Sequence, residues 1–334
     1  MEIAFFSFTD CGSLLKNRLS AYLTLSGHKI FALPELSLKE QAAAAFKDAD
    51  ALVFIGAAGI AVRTIAPFVH SKISDPAVIV IDELGTWIIP LLGGHIGGGN
   101  ELARAVAIFL EAEAVITTAT DIHKVFAVDL WASKQNLAIS SMETAKKVSA
   151  ALLKGEELWM QSDYPISGTP PKGIAYQSGG ANMSGLGIIV SIQRGTDDAP
   201  LRLIPRRVYV GIGCRKDIEG AAIAEIFDAA LESLNLDGRC VAGAGSIDLK
   251  KTEAGLLGFC ESRSIPCVFF DAASLQSVKG SFSGSDFVKK TTGVDNVCER
   301  AAVLASGNGE LLIKKTTRNG VSIAAAAADM DLCF

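Results

Sequence analysis

The chain has 334 residues, 49% of them hydrophobic and 20% charged, with a formal net charge of −5 at pH 7. It is too apolar to be disordered and long enough for about two or three domains, each with its own core. The negative balance without any basic block excludes nucleic acid and a membrane surface as expected partners, so an acidic ligand would need local basic groups and backbone amides.

Glycine is abundant at 32 residues, whereas aromatics make up 7%. Together with many Ala, Val and Ile residues, this suits α/β packing, in which tight turns join buried strands to helices. The opening MEIAFFSFTDCG has Glu2 where a signal peptide needs a basic region, and Asp10 cuts its apolar stretch short. A cytoplasmic location is expected. The 7 cysteines form no CxxC pair, and the 4 histidines show no HExxH motif or i, i+4 pairing, so no dedicated metal site is expected.

In chain order, the first third alternates. Strands are predicted over 3–8, 29–33, 51–55, 77–81, 87–91 and 115–117. Helices are predicted over 13–26, 38–47, 60–69, 101–112 and 125–135. Alternation of this kind predicts a doubly wound, mostly parallel sheet for residues 1–135. A small middle module follows over 136–204, with a helix over 142–153, a strand over 187–193 and a linker over 196–200. A second α/β domain is predicted over 205–334. Its strands are expected at 207–212, 238–241 and 267–270 and its helices at 217–234, 251–263 and 295–306. A hairpin over 310–314 and 321–326 turns at Asn319-Gly320.

The densest motif runs from Pro90 to Leu102 and holds Gly93, Gly94, His95, Gly97, Gly98, Asn100 and Glu101. Glycines directly before a helix allow close backbone approach, and a helix start offers unpaired N–H groups, a combination suited to anions. His95 among them can shuttle protons near neutral pH; the plainer reading is a turn with an incidental histidine and Asn100 as an N-cap. Gly56, Gly59 and Arg63 form a second strand-to-helix turn, expected at the carboxyl edge of the sheet. Thr118 and Asp121 follow another strand and are expected to line the same crevice, or simply to cap a helix. Gly211, Gly213, Cys214 and Arg215 are expected to end one C-terminal strand, with Gly245, Ser246 and Lys250 after its neighbour. There the glycines either bind acidic groups or only permit turns, and Cys214 is either reactive or a small filler. No GxGxxG, GxxxxGK[ST] or GxSxG occurs, which disfavours nucleotide cofactors and serine-hydrolase chemistry.

Gly56–Arg63, LGGHIGGGNELARA (Leu92–Ala105) and TTATDIHKVFAVD (Thr117–Asp129) resemble the N-terminal domain of the CbiG-type cobalt-precorrin-5A hydrolases of anaerobic cobalamin biosynthesis. VYVGIGCRK (Val208–Lys216), SIDLKKTEAGLL (Ser246–Leu257), TGVDNVCERAAVL (Thr292–Leu304) and LLIKK (Leu311–Lys315) resemble that family's C-terminal domain. Relatives often carry a second histidine or an alanine where this chain has Ile96 and Gly98-Gly99, so no histidine pair is expected.

The resemblance implies an enzyme that opens the ring-A lactone of a corrinoid and releases its two-carbon unit as acetaldehyde, giving cobalt-precorrin-5B. The substrate brings its own cobalt, so no protein cofactor is expected; a homodimer is left open. His95 is then the expected acid–base group, with Glu101 or Asp121 orienting it or activating water. The amides of Gly94, Gly97 and Gly98 would serve an oxyanion, and Arg63, Arg215 and Lys250 would bind peripheral carboxylates. Gly56, Gly59, Gly93, Asn100, Thr118, Gly211, Gly213, Gly245 and Ser246 would line two glycine rims flanking one trough. The competing reading is a non-catalytic carrier of a corrinoid intermediate; a nicotinamide-dependent reductase is disfavoured by the absent fingerprint.

Overall fold

The computed structural model describes residues 1–71, 74–95, 97–123, 125–178, 185–196 and 200–334. Ile96 and residues 197–199 of the expected linker lie outside them. Two compact units divide the chain, Met1–Leu130 and Trp131–Phe334. Among the described residues, no helix is long and apolar enough to cross a membrane.

The first unit is built on strands β1 (Glu2–Ser7), β2 (Lys29–Ile30), β3 (Ala51–Ile55), β4 (Ala77–Ile81), β5 (Trp87–Leu92) and β6 (Glu113–Ala114). Their order is β2-β1-β3-β4-β5-β6. Neighbours run parallel except β4 and β5. β3 and β4 are buried along their whole length, because helices cover both faces. On one face, α1 (Asp10–Leu25) and α4 (Gly99–Leu110) bring Leu15, Leu19, Leu102 and Val106 onto Ile3, Val53 and Ile79. On the other, α2 (Leu38–Asp48) and α3 (Ala58–Ile65) bring Ala42, Ala45, Ala61 and Ile65 onto Ala4, Leu52 and Val78. Alternate strand residues thus feed opposite layers.

Helix starts differ from the sequence pattern for local reasons. α1 begins before residue 13 because Thr9 caps it, its Oγ1 accepting from the Gly12 N–H at 3.1 Å. α4 begins at Gly99 because Gly98 takes a left-handed conformation (φ 74°) that turns the chain into the helix. The strand expected over 115–117 is corrected to Glu113–Ala114, where Trp87 and Ile88 of β5 supply the pairing.

The reversed β5 decides where the site lies. Residues 82–86 turn tightly between β4 and β5, with Gly85 at φ 70°. The Asp82 Oδ1 accepts from the N–H groups of Thr86 and Trp87 at 2.7 and 2.6 Å. Such a turn joins antiparallel strands, whereas parallel strands need a long crossover. Leu92 therefore pairs with Val78, near the amino end of β4. The glycine-rich run leaves the sheet at the edge where β3 and β4 begin. A short α5 (Ala119–Ile122) follows β6 at that same edge, and α6 (Val128–Lys134) comes after it.

In the second unit, β7 (Leu137–Ile139), α7 (Met142–Leu153), β8 (Leu158–Ser162), β9 (Ile166–Ser167), β10 (Ile174–Ser178), β11 (Gly187–Val190) and β12 (Leu201–Pro205) come first. They form a sheet in the order β10-β8-β11-β12-β7. Next come β13 (Val208–Cys214), α8 (Gly220–Ser233), β14 (Val241–Ile247), α9 (Ala254–Ser262), β15 (Cys267–Phe270), α10 (Ala272–Ser277), α11 (Asp286–Thr292), α12 (Cys298–Ala305), β16 (Glu310–Arg318) and β17 (Val321–Ala327). Their sheet runs β15-β14-β13-β17-β16. The β16–β17 hairpin turns at Asn319 and Gly320, both at positive φ, as expected. The terminal β18 (Leu332–Cys333) pairs with β9, and the Trp131 Nε1–H donates to the Cys333 carbonyl at 2.7 Å.

The strand expected over 238–241 is corrected: residues 238–240 make a single 3₁₀ turn and β14 starts at Val241. Gly245 and Ser246 consequently lie inside β14 and not after it, and Gly211 is the register partner of Gly245. Both glycines lie beneath α12. A methyl group on Gly211 would collide with the Cys298 carbonyl, and one on Gly245 would stand 2.8 Å from the Ala301 carbonyl. Close helix–sheet approach is what these glycines provide. Gly211→Ala is expected to destabilise the second unit by about 1–3 kcal/mol through overpacking. A denaturant midpoint unchanged from the parent would contradict that.

Candidate functional site

The site forms where β5, α4, α5 and α6 meet. Gly93 (φ 61°) passes so close to β4 that a methyl group would stand 2.8 Å from the Ala77 Cα. The Gly99 and Asn100 N–H groups donate back to the Gly93 and Gly94 carbonyls, each at 2.9 Å. The loop is thus wound tightly enough to hold His95 over the start of α4. The Gly98 N–H donates to the His95 carbonyl at 3.0 Å, which withdraws Gly98 from the expected oxyanion donors.

His95 lies between two carboxylates. Its Nε2 is 2.6 Å from the Asp121 Oδ2, and its Nδ1 is 3.8 Å from the Asp129 Oδ1. The three side chains are 13%, 15% and 16% exposed, open enough to be reached and closed enough to strengthen charge interactions. Asn100 donates from Nδ2 to the Asp121 Oδ2 at 2.9 Å and to the Thr118 Oγ1 at 3.2 Å. Arg104 donates from Nη2 to the Asp121 Oδ1 at 2.5 Å.

Asp129 does most to hold the His95 imidazolium above the ordinary histidine range. Burial opposes it and Asp121 adds to it. Burial works against the Asp121 anion, yet the hydrogen bonds from Arg104 and His95 prevail and hold its carboxyl below the usual carboxylate range. An imidazolium between two anions keeps its proton to higher pH, so the acid form persists near neutrality.

His95, Asn100, Thr118 and Asp121 are therefore brought together. Glu101 stands exposed in the first turn of α4, and the carboxylates beside His95 are those of Asp121 and Asp129. Gly56, Gly59 and Arg63 do not join them. The Gly56 N–H donates to the Ile81 carbonyl at 2.8 Å, which places it at the carboxyl end of β4, opposite the Ala77 end that carries Gly93. The β4 strand of 5 residues separates the two edges. At about 3.3 Å per residue that is on the order of 13 Å or more. Arg63 is exposed and folds back beside Gly59. The shared crevice expected for these residues and Thr118–Asp121 is corrected by the reversed β5.

In the second unit, the Ser246 hydroxyl is fully buried and donates to the Ile212 carbonyl at 2.6 Å. Gly213 is half-buried near the end of β13. Lys250 Nζ pairs with the Glu253 Oε2 at 2.8 Å, and Glu253 also accepts from the Ile218 N–H at 3.2 Å. Arg215 is exposed and lies against the Gly320 turn, its N–H donating to the Gly320 carbonyl at 2.9 Å. Burial pushes the Cys214 thiol up to about 11, which favours a filler over a nucleophile.

Arg104 and Asp129 escaped the sequence reading. Arg104 lies one helical turn beyond Asn100, so i, i+4 spacing alone puts it on the same face of α4. Asp129 ends the TTATDIHKVFAVD segment, but nothing local to it points to His95.

The chain thus combines a parallel-dominated α/β unit holding a histidine–carboxylate cluster with a second unit that has its own sheets. The family model described as Cobalamin synthesis G N-terminal matches residues 40–121, and that described as Cobalamin synthesis G C-terminus matches residues 208–326. The protein named Cobalt-precorrin-5A hydrolase of Salmonella typhimurium (strain LT2) is 37% identical over 344 residues, covering 98% of this chain and 98% of its own. One of the same name from Priestia megaterium is 32% identical, covering 86% of this chain and 80% of its own. A Methanocaldococcus jannaschii protein named Probable cobalt-precorrin-5A hydrolase is 29% identical, covering 83% and 85%. The chain belongs to the cobalt-precorrin-5A hydrolase family.

Proposed function

We propose that this chain is a cobalt-precorrin-5A hydrolase that opens the ring-A lactone and releases the two-carbon unit as acetaldehyde, leaving cobalt-precorrin-5B. End-to-end similarity to relatives of that name supports the reaction. The observation that carries the chemistry is the imidazole of His95 held between Asp121 and Asp129.

Water adds to the lactone carbonyl and the ring oxygen leaves as a hydroxyl. That hydroxyl becomes the carbonyl oxygen of acetaldehyde when the adjoining C–C bond breaks. The bonding electron pair stays on the macrocycle, where a carbon must take up a proton. His95 as imidazolium is the donor for that step, with Asp121 orienting the ring. Gly94 and Gly97, in the turn beside His95, supply backbone donors for the oxyanion. Cobalt arrives within the substrate, the protein adds no cofactor of its own, and the reaction belongs to the cytoplasm.

Purified chain incubated with cobalt-precorrin-5A is expected to yield one acetaldehyde per corrinoid consumed. Tight binding of the corrinoid without any acetaldehyde would replace this reading with that of a carrier.

A further inference from the structure

Asp121 holds more than His95. Its Oδ2 meets the His95 Nε2 at 2.6 Å and the Asn100 Nδ2 at 2.9 Å, and its Oδ1 meets the Arg104 Nη2 at 2.5 Å. The imidazole and the guanidinium therefore stand one carboxylate group apart. Asn100, only 3% exposed, braces that carboxylate from the helix that also carries Arg104.

Arg104 differs from these neighbours in two ways. Its side chain is 46% exposed, against 15% for Asp121 and 13% for His95, so it forms the open rim of the cluster. A guanidinium carries five N–H groups, and the bond to Asp121 uses one of them. Among the described residues, no other acceptor is bonded to Arg104. The donors left over belong to a planar fork that fits a second carboxylate.

Hydrolysis of a lactone creates such a group beside the proton donor. The acyl carbon gains the water oxygen and loses the ring oxygen, whose electron pair takes up a proton to become the hydroxyl. The resulting carboxylic acid ionises near neutral pH and releases its proton to solvent. A neutral ester thus becomes an anion in the course of the reaction. We infer that Arg104 is the binding residue for the carboxylate born from the lactone, kept within reach of His95 by their common partner Asp121. This rests on the reading of the chain as a lactone-opening hydrolase. An opened acyl arm held on Arg104 keeps the macrocycle seated while the C–C bond breaks and its carbon is protonated. Asp121 sets the spacing between the anion anchor and the acid.

The test compares Arg104→Gln with the parent arginine in a full-length His95→Gln background, where the lactone is bound without being consumed. Binding of cobalt-precorrin-5A and of cobalt-precorrin-5B is titrated on each protein. The Kd for the carboxylate product is expected to rise about tenfold or more, the scale of a lost bond to a charged group. The Kd for the lactone, neutral at that acyl group, should change little. Arg104→Lys keeps the charge without the fork and should recover part of the product affinity. Should the glutamine variant fail to fold, Arg104→Met keeps the stem without N–H groups and serves the same comparison. Equal losses for lactone and product overturn the inference, because Arg104 then holds an arm present throughout. Unchanged affinity for both also overturns it, leaving Arg104 as a brace for Asp121 alone. Absence of acetaldehyde from the parent chain, with the split between product and lactone intact, supports the carboxylate site and overturns the hydrolase reading instead.

Discussion

Replacing His95 by alanine is expected to lower acetaldehyde release from cobalt-precorrin-5A by about 10²-fold or more, the scale of a lost general acid. The side chain is 13% exposed and faces two carboxylates, so the variant loses the proton donor and leaves Asp121 and Asp129 without their shared cation. His95→Gln is the companion, because it fills the site and keeps hydrogen bonds without carrying a titrating proton. Both variants should lose kcat more than they raise KM, since the proton is needed in the transition state and not for binding. Turnover near that of the parent would remove His95 from the mechanism.

The pH dependence has a definite sign. The folded-state value of His95 lies above the ordinary one, Asp129 being the larger cause and burial opposing it. A donor of this kind is available at low pH and is lost as pH rises through the raised value. Activity should therefore fall on the alkaline side. A histidine acting as a base would give the opposite limb. Stability follows the donor: the imidazolium's contribution is complete below the unfolded value and fades as pH rises through the folded one.

The largest stability effect is expected in the second unit, at Glu299 of α12. This carboxylate is 1% exposed and wholly enclosed by donors. It accepts from the Ser283 N–H at 2.8 Å, the Ser283 hydroxyl at 3.2 Å, the Asn296 Nδ2 at 2.7 Å and the Lys315 N–H at 2.7 Å. It therefore ties the segment before α11 and strand β16 to one helix. Asn296 completes the unit, its Oδ1 accepting from the Glu299 N–H at 2.9 Å. Removing the acceptor orphans buried backbone donors at about 1–3 kcal/mol each. Glu299→Ala is expected to lose roughly 3–5 kcal/mol, some donors being recovered by water. For a unit of this size that is a drop in melting temperature of roughly 10 °C or more. Glu299→Gln should lose less, keeping one acceptor oxygen. A loss under about 1 kcal/mol in the alanine variant would show that the network adds little to stability.

The NVCE stretch of TGVDNVCERAAVL is thus explained by packing. Asn296 and Glu299 hold the network, and the buried Cys298 presses its carbonyl towards Gly211. The same holds for Gly211, Gly245 and Ser246, where a glycine motif that suggests a ligand instead admits a helix. Pattern reading cannot separate these uses, because both demand the absence of a side chain.

The alternation of strands and helices, the α/β class and the 142–153 helix follow from local information: hydrophobic period, caps and turns act over a few residues. So does the choice of His95 and Asn100, among glycines, and of Thr118 and Asp121, after a strand, as candidate site residues. The reversal of β5 was also within reach, because residues 82–86 are too few for a crossover. What only the tertiary structure decided is who meets whom. Strand order and direction set which loops share an edge, so residues 95, 100, 104, 118, 121 and 129 converge while Gly56, Gly59 and Arg63 fall at the other end. The middle sheet emerged for the same reason. Its strands are short and broken by turns, and each becomes stable only beside neighbours distant in the chain, a pairing that no local period encodes.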